Sequence, residues 1–245
     1  MLMDLIILSL IAGAATGIGG ALAVIRKPGK RMFGFLMGFS GGIMLSISFT
    51  ELLAQGIKFG GLELAIIGFT LGSLSFMLLD TFLPHVRFAT KEKGIVNTKL
   101  LRMGMLLAIG ISIHNIPEGM AVGSGYVHLP ALGLIIAIGI ALHNIPEGMA
   151  TALPLYSAGF SRKKSFLIAL GSGLVEPVGA AIAYLFLSGF PALIPATLAF
   201  AAGVMVFITL DELLPIAEAK SHNAMSAGIL LGIIFMLLVS NIFGI

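Results

Sequence analysis

Residues 108–150 read AIGISIHNIPEGMAVGSGYVHLPALGLIIAIGIALHNIPEGMA. Long apolar runs fill this stretch, and inside them one octapeptide occurs twice. His114-Asn115-Ile116-Pro117-Glu118-Gly119-Met120-Ala121 returns unchanged as His143-Asn144-Ile145-Pro146-Glu147-Gly148-Met149-Ala150, and a shift of 29 residues carries His114 onto His143. The turn between the copies, around Val127–Pro130, holds no Lys or Arg. The spacing predicts two adjacent antiparallel membrane spans whose copies face each other in inverted orientation.

The rest of the chain agrees with a membrane setting. Of its 245 residues 10% are charged and 58% hydrophobic, and the mean hydropathy is +1.10. A soluble domain carries about 25% charged residues, so this chain has too little polar surface to coat a soluble fold. Apolar runs recur at roughly the 20 residues needed to cross a hydrocarbon core. The net charge of +3 is small and the basic residues sit in short loops, which argues against nucleic-acid binding. Residues 1–25 have Asp4 where a signal peptide would be basic, and Arg26 and Lys27 follow the apolar run, so the segment reads as a retained first span.

An all-α, polytopic fold of eight spans fits as a single transmembrane domain over residues 1–245. The spans fall at about 2–25, 31–54, 61–83, 100–126, 130–156, 163–187, 193–217 and 224–244. Alternate loops then lie on opposite sides, and the basic residues sort between them. Arg26, Lys27, Lys30 and Arg31 fall in the first loop, and Arg87, Lys91, Lys93, Lys99 and Arg102 in the third. Arg162, Lys163 and Lys164 fall in the fifth, and Lys220 in the seventh. Of the 14 Lys and Arg, Lys58 alone lies on the other side. The excess of positive charge in cytoplasmic loops predicts that both termini lie outside the cell membrane. The longest connection, residues 84–99, is polar and reads as a loop.

His and Glu stand four apart in each octapeptide and share a helix face, and Asn adjoins Glu three residues away. The proline between them removes a backbone donor and favours a kink. Irregular backbone at membrane depth is tolerated where protein or a water-filled cavity satisfies it. Glu176, in Gly173-Leu174-Val175-Glu176-Pro177, is a third intramembrane acid beside a proline. Ionisable groups inside a bilayer need partners, and no Lys or Arg stands near Glu118 and Glu147 in these spans. A divalent cation would supply the partner. With no cysteine in the chain, its ligands must come from His, Asn and carboxylates, a donor set suited to zinc and related ions.

A weaker repeat relates Phe39–Leu53 to Phe200–Leu214. With span 2 running outward and span 7 inward, it suggests an inverted repeat of three, two and three spans, a common transporter device with its site near the midplane.

These motifs resemble the ZIP (Zrt/Irt-like) metal transporters, their bacterial ZupT-like branch in particular. The resemblance implies an eight-span 3+2+3 fold in the inner membrane with outside termini. It also implies two adjacent metal ions as transported cargo. One position would use His114, Glu118, His143 and Glu147. Its neighbour would use Asn115, Glu118, Asn144, Glu147 and Glu176. The Asp-x-x-x-Pro-His pattern points to Asp80, and Asp-Glu-Leu-Leu-Pro to Asp211 and Glu212, as acceptors of the departing ion. Glu51, counterpart of Glu212, would help ions enter. His85, His128 and His222 read as loop or interface histidines. A His-rich third loop, present in many relatives, is lacking.

The expected function is uptake of zinc into the cytoplasm, with iron, manganese, cobalt and cadmium also compatible with the ligands. The rival from another class is an intramembrane zinc metalloenzyme, but the chain has no His-Glu-x-x-His pattern. The expected partners are divalent ions and lipid. The small-residue faces Gly13–Gly20 and Gly34–Gly42 permit close helix packing, including a homodimer.

Overall fold

The computed structural model describes residues 2–26, 28–82 and 98–243. For Asp80, Phe82, residues 98–100, Arg102, Met103, Leu107, His114, Glu212 and Phe243 it describes the backbone alone. The expected loop over 84–99 therefore falls almost wholly outside the described residues.

Among the described residues every regular element is helical. The chain runs through α1 (Leu2–Ile25), α2 (Lys30–Ser46) and a π-helical segment, Ile47–Leu53, into α3 (Ala54–Phe82). Next come α4 (Thr98–His128), α5 (Pro130–Ala158), α6 (Arg162–Gly173) and α7 (Glu176–Gly189). A 3-10 turn at Pro191–Leu193 leads into α8 (Ile194–Ile208), a second π segment (Thr209–Leu213), α9 (Leu214–Glu218) and α10 (His222–Phe243). Among the described residues seven helical runs are long and apolar enough to cross a membrane.

One of those runs, Lys30–Leu79, is 50 residues long. Straight, it would extend about 75 Å, more than twice a hydrocarbon core. It is not straight. Gly61 has φ 80° and ψ 163°, a conformation open to glycine alone. The chain folds back there: a Cβ placed on Gly56 or on Gly68 would lie 3.3 or 3.1 Å from the same atom, the Cβ of Ala199. Twelve residues of straight helix would separate those glycines by about 18 Å. The helix persists to within one residue of the reversal, where an open connection was expected over 55–60. The sixth expected span is likewise two helices, α6 and α7, parted at Leu174 and Val175. By contrast, α4 and α5 stay helical through Pro117 and Pro146.

Glycines set the packing. A lipid-facing protein has no hydrophobic drive to bring helices together, so small residues that let backbones meet do this work. The helices associate in two groups. In the first, α1 packs on α5 and on α6, and α4 packs on α5 and α7. Gly19 lies against the Ile145 carbonyl, Gly148 against that of Thr16, Gly179 against that of Ile116 and Gly119 against that of Glu176. In the second, α2 packs on α10 and α3 on α8, with Gly232 against the Phe39 carbonyl and Gly72 against that of Phe200. The contacts recur under fixed shifts. Adding 160 carries Gly19 to Gly179, Gly72 to Gly232 and Thr16 to Glu176. Adding 161 carries Phe39 to Phe200 and residues 48–52 of the first π segment onto the second.

The two groups meet along a seam of α2 with α5 and α4 with α8. There Ser40 Oγ donates to the His143 carbonyl at 3.2 Å, and Gly139 faces Ile47 and Met236. The faces Gly13–Gly20 and Gly34–Gly42 are occupied within the chain, by α5, α6, α9 and α10. Pairing of two copies would have to use other surface.

Candidate metal centre

The first helix group holds the polar cluster. Helical spacing turns His143 and Glu147, four apart on α5, to one face, and Glu118 on α4 meets them. One ligand atom from each of Glu118, His143 and Glu147 lies within 4.8 Å of the others, and all three side chains are buried. His143 Nε2 stands 3.1 Å from Glu118 Oε1. Donors around a tetrahedral zinc at about 2.1 Å are separated by about 3.4 Å, so a small contraction would close the trio on an ion.

The two asparagines are held alike, by helices outside the octapeptides. Asn115 Nδ2 donates to the Ser172 carbonyl at 2.8 Å, and Asn144 Nδ2 to the Ala12 carbonyl at 3.0 Å. The shift of 160 carries Ala12 to Ser172. Both amides keep a buried Oδ1 without a hydrogen-bond partner among the described residues. Asn144 Nδ2 also reaches Glu176 Oε1 at 2.5 Å. Glu176 thus stands outside the trio but is joined to it through the neighbour of His143. Among the described residues Glu118 and Glu176 each retain one carboxylate oxygen, Oε2, without a partner. Buried polar atoms are normally satisfied. Four unpartnered oxygen acceptors inside one helix group are the chemistry of a cation site.

Of the expected ligands, Glu118, His143, Glu147, Asn144 and Glu176 are brought together in this way, and Asn115 takes the matching position on α4. The side chain of His114 lies outside the described residues, as do those of Asp80 and Glu212. Glu51 and Asp211 are apart from the cluster, on the two π segments. Glu51 is buried, accepting from Thr50 Oγ1 at 3.2 Å and from Ser240 Oγ of α10, while Asp211 is exposed. Sequence reasoning missed the carbonyl anchors at Ala12 and Ser172. It also missed Ser40 and Ser240. The signal for the anchors was available: Gly13-Ala-Ala-Thr16 and Gly173-Leu-Val-Glu176 occupy equivalent places under the same shift.

Residues 89–240 match the family described as ZIP Zinc transporter. The chain belongs to the ZIP family. It is 42% identical to the zinc transporter ZupT of Chlorobium luteolum, with 95% of each chain covered. It is 43% identical to the ZupT protein of Chlorobium limicola (92% of each) and 40% to that of an Enterobacter species (94% of this chain, 93% of the relative). In this chain Glu118, His143 and Glu147 are a buried group whose ligand atoms could hold a metal ion.

Proposed function

We propose that this chain takes zinc and related divalent ions across the inner membrane into the cytoplasm. The observation that carries the proposal is the buried trio of Glu118, His143 and Glu147 in a ZIP chain of apolar helices. The named relatives are zinc transporters, and this favours transport over the metalloenzyme reading.

The centre takes two adjacent ions. His114, Glu118, His143 and Glu147 hold one. Asn115, Glu118, Asn144, Glu147 and Glu176 hold the other, the two glutamates bridging. The unpartnered Oδ1 atoms of both asparagines and the Oε2 of Glu176 support the second position.

The membrane part consists of eight spans in a 3+2+3 inverted repeat. The reversal at Gly61 supports the count, since it divides the 50-residue run in two. The recurrence of backbone contacts under shifts of 160 and 161 supports the repeat, and the positive loops support outside termini. Ions enter past Glu51 and leave past Asp80, Asp211 and Glu212.

All the ligands belong to the helix group of α1, α4, α5, α6 and α7. Transport is therefore a displacement of that group along its seam with the other. The ion exchanges its water for His, Asn and Glu at the midplane and regains water on the cytoplasmic side. Because the ligands must shed protons to bind, acidification weakens capture. The test is zinc entry into liposomes holding the purified protein. Flux that survives Glu118→Ala with Glu147→Ala sinks the assignment.

A further inference from the structure

Thr16 occupies, on α1, the place that Glu176 occupies on α7. The same shift of 160 that superposes Gly13 on Gly173 and Gly19 on Gly179 superposes Thr16 on Glu176. The surroundings match as well as the numbers. Gly148 lies against the Thr16 carbonyl as Gly119 lies against that of Glu176. A Cβ on Gly13 would fall 3.4 Å from Glu176 Oε1, and one on Gly173 would fall 2.5 Å from Thr16 Oγ1. Both oxygens occupy the crossing of α1 with α6.

The Thr16 hydroxyl is also unusual for a helix. Thr50, Thr151, Thr197 and Thr209 each return their hydroxyl to the carbonyl one turn back, at 2.8 to 3.1 Å. That local bond is the ordinary fate of a helical threonine. Thr16 is fully buried, yet its Oγ1 has no hydrogen-bond partner among the described residues. It is turned toward α6, on the side where Asn115 is anchored to Ser172.

We propose that Thr16 holds the water that completes the oxygen-rich ion position as its sixth ligand. This rests on the two-ion reading above. Five protein residues, Asn115, Asn144, Glu118, Glu147 and Glu176, supply that position with oxygens. Glu176 has no acidic mate across the repeat. Threonine is two atoms shorter than glutamate, so on its side a water spans the remaining distance, accepting from or donating to the hydroxyl. The result is a six-oxygen shell with one neutral, exchangeable corner. Such a shell suits ions that favour six oxygens, manganese among them, more than zinc, which is content with four ligands. Thr16 is a positioning residue that sets metal preference.

The experiment measures manganese and zinc binding to the purified full-length protein in detergent, alongside flux in liposomes. Thr16→Val keeps the shape and removes the hydroxyl, and Thr16→Ser keeps the hydroxyl. The expected result for Thr16→Val is a loss of manganese affinity of about tenfold or more, the scale of an outer-shell ligand, with zinc affinity changed by less than about threefold. Thr16→Ser should retain the parent preference. Equal loss of both metals, or no loss of manganese in a folded Thr16→Val protein, overturns the proposal. If Thr16→Val is not recovered folded, Thr16→Ala carries the same expectation. Failure of the two-ion reading is read separately: undiminished binding after Glu118→Ala with Glu147→Ala overturns the centre itself, whereas a dead double variant beside an unchanged Thr16→Val overturns the role of Thr16 alone.

Discussion

The two helix groups are built by one packing rule and differ in what they enclose. In both, glycines lie against main-chain carbonyls at matching places, Gly148 on Thr16 in one and Gly232 on Phe39 in the other. The first group surrounds buried His, Asn and Glu side chains. The second surrounds Ile43, Met44, Leu198 and Met205, with Glu51 also buried. Backbone packing of this kind fixes where helices lie and says nothing of their task. The task follows from which group received the polar residues, and the seam between groups is where motion can occur without breaking either one.

Removing the ligands breaks the comparison most completely. Glu118→Ala with Glu147→Ala should lower zinc flux by about 100-fold or more while the protein elutes as folded, since each loss exceeds the 10–100-fold scale of outer-shell changes. Next comes Asn144→Ala, which leaves the Ala12 carbonyl and Glu176 without their shared donor. Zinc affinity, followed by calorimetry, should fall about 10–100-fold. Glycine substitutions then separate the groups. Gly148→Val and Gly232→Val both drive a side chain into a carbonyl, and each should cost about 1–3 kcal/mol by thermal unfolding. Only Gly148→Val, beside Glu147, should also weaken zinc binding. Equal effects of the two on affinity would erase the functional distinction. The smallest change is expected at the seam. Ser40→Ala removes one hydrogen bond to His143, worth about 1 kcal/mol, and should alter the turnover rate with affinity unchanged.

The octapeptide could be read without a structure because a bilayer makes polar residues conspicuous. Two copies of His-Asn-x-Pro-Glu-Gly in apolar surroundings admit few explanations, and helical spacing alone turns His143 and Glu147 to one face. Partnership between spans was not legible in the same way. Away from the octapeptides and Glu176 the spans are apolar all round, so no hydrophobic face says which neighbour each takes. The division into two groups was therefore hidden, although the glycine positions that encode it were in plain view. The helix continuing to Gly60, with reversal at Gly61, was hidden for a related reason: Gly60 and Gly61 mark a turn, but not that helix persists up to it. The π segments leave no composition signal, and both expected pathway acids with described side chains, Glu51 and Asp211, fall on them. The asparagine anchors escaped because their partners are carbonyls, which every residue owns.

The glycine-to-carbonyl contacts also divide the chain's tolerance to change. The helices α1, α3 and α10 each have one edge where an added methyl group would meet a neighbouring carbonyl and an exposed edge, with Ile7 and Ile11, Leu71 and Leu78, and Leu230 and Leu238. Drift among relatives should collect on that outer edge. A designer could recut it for a thicker bilayer or a different detergent while leaving the cargo chemistry untouched.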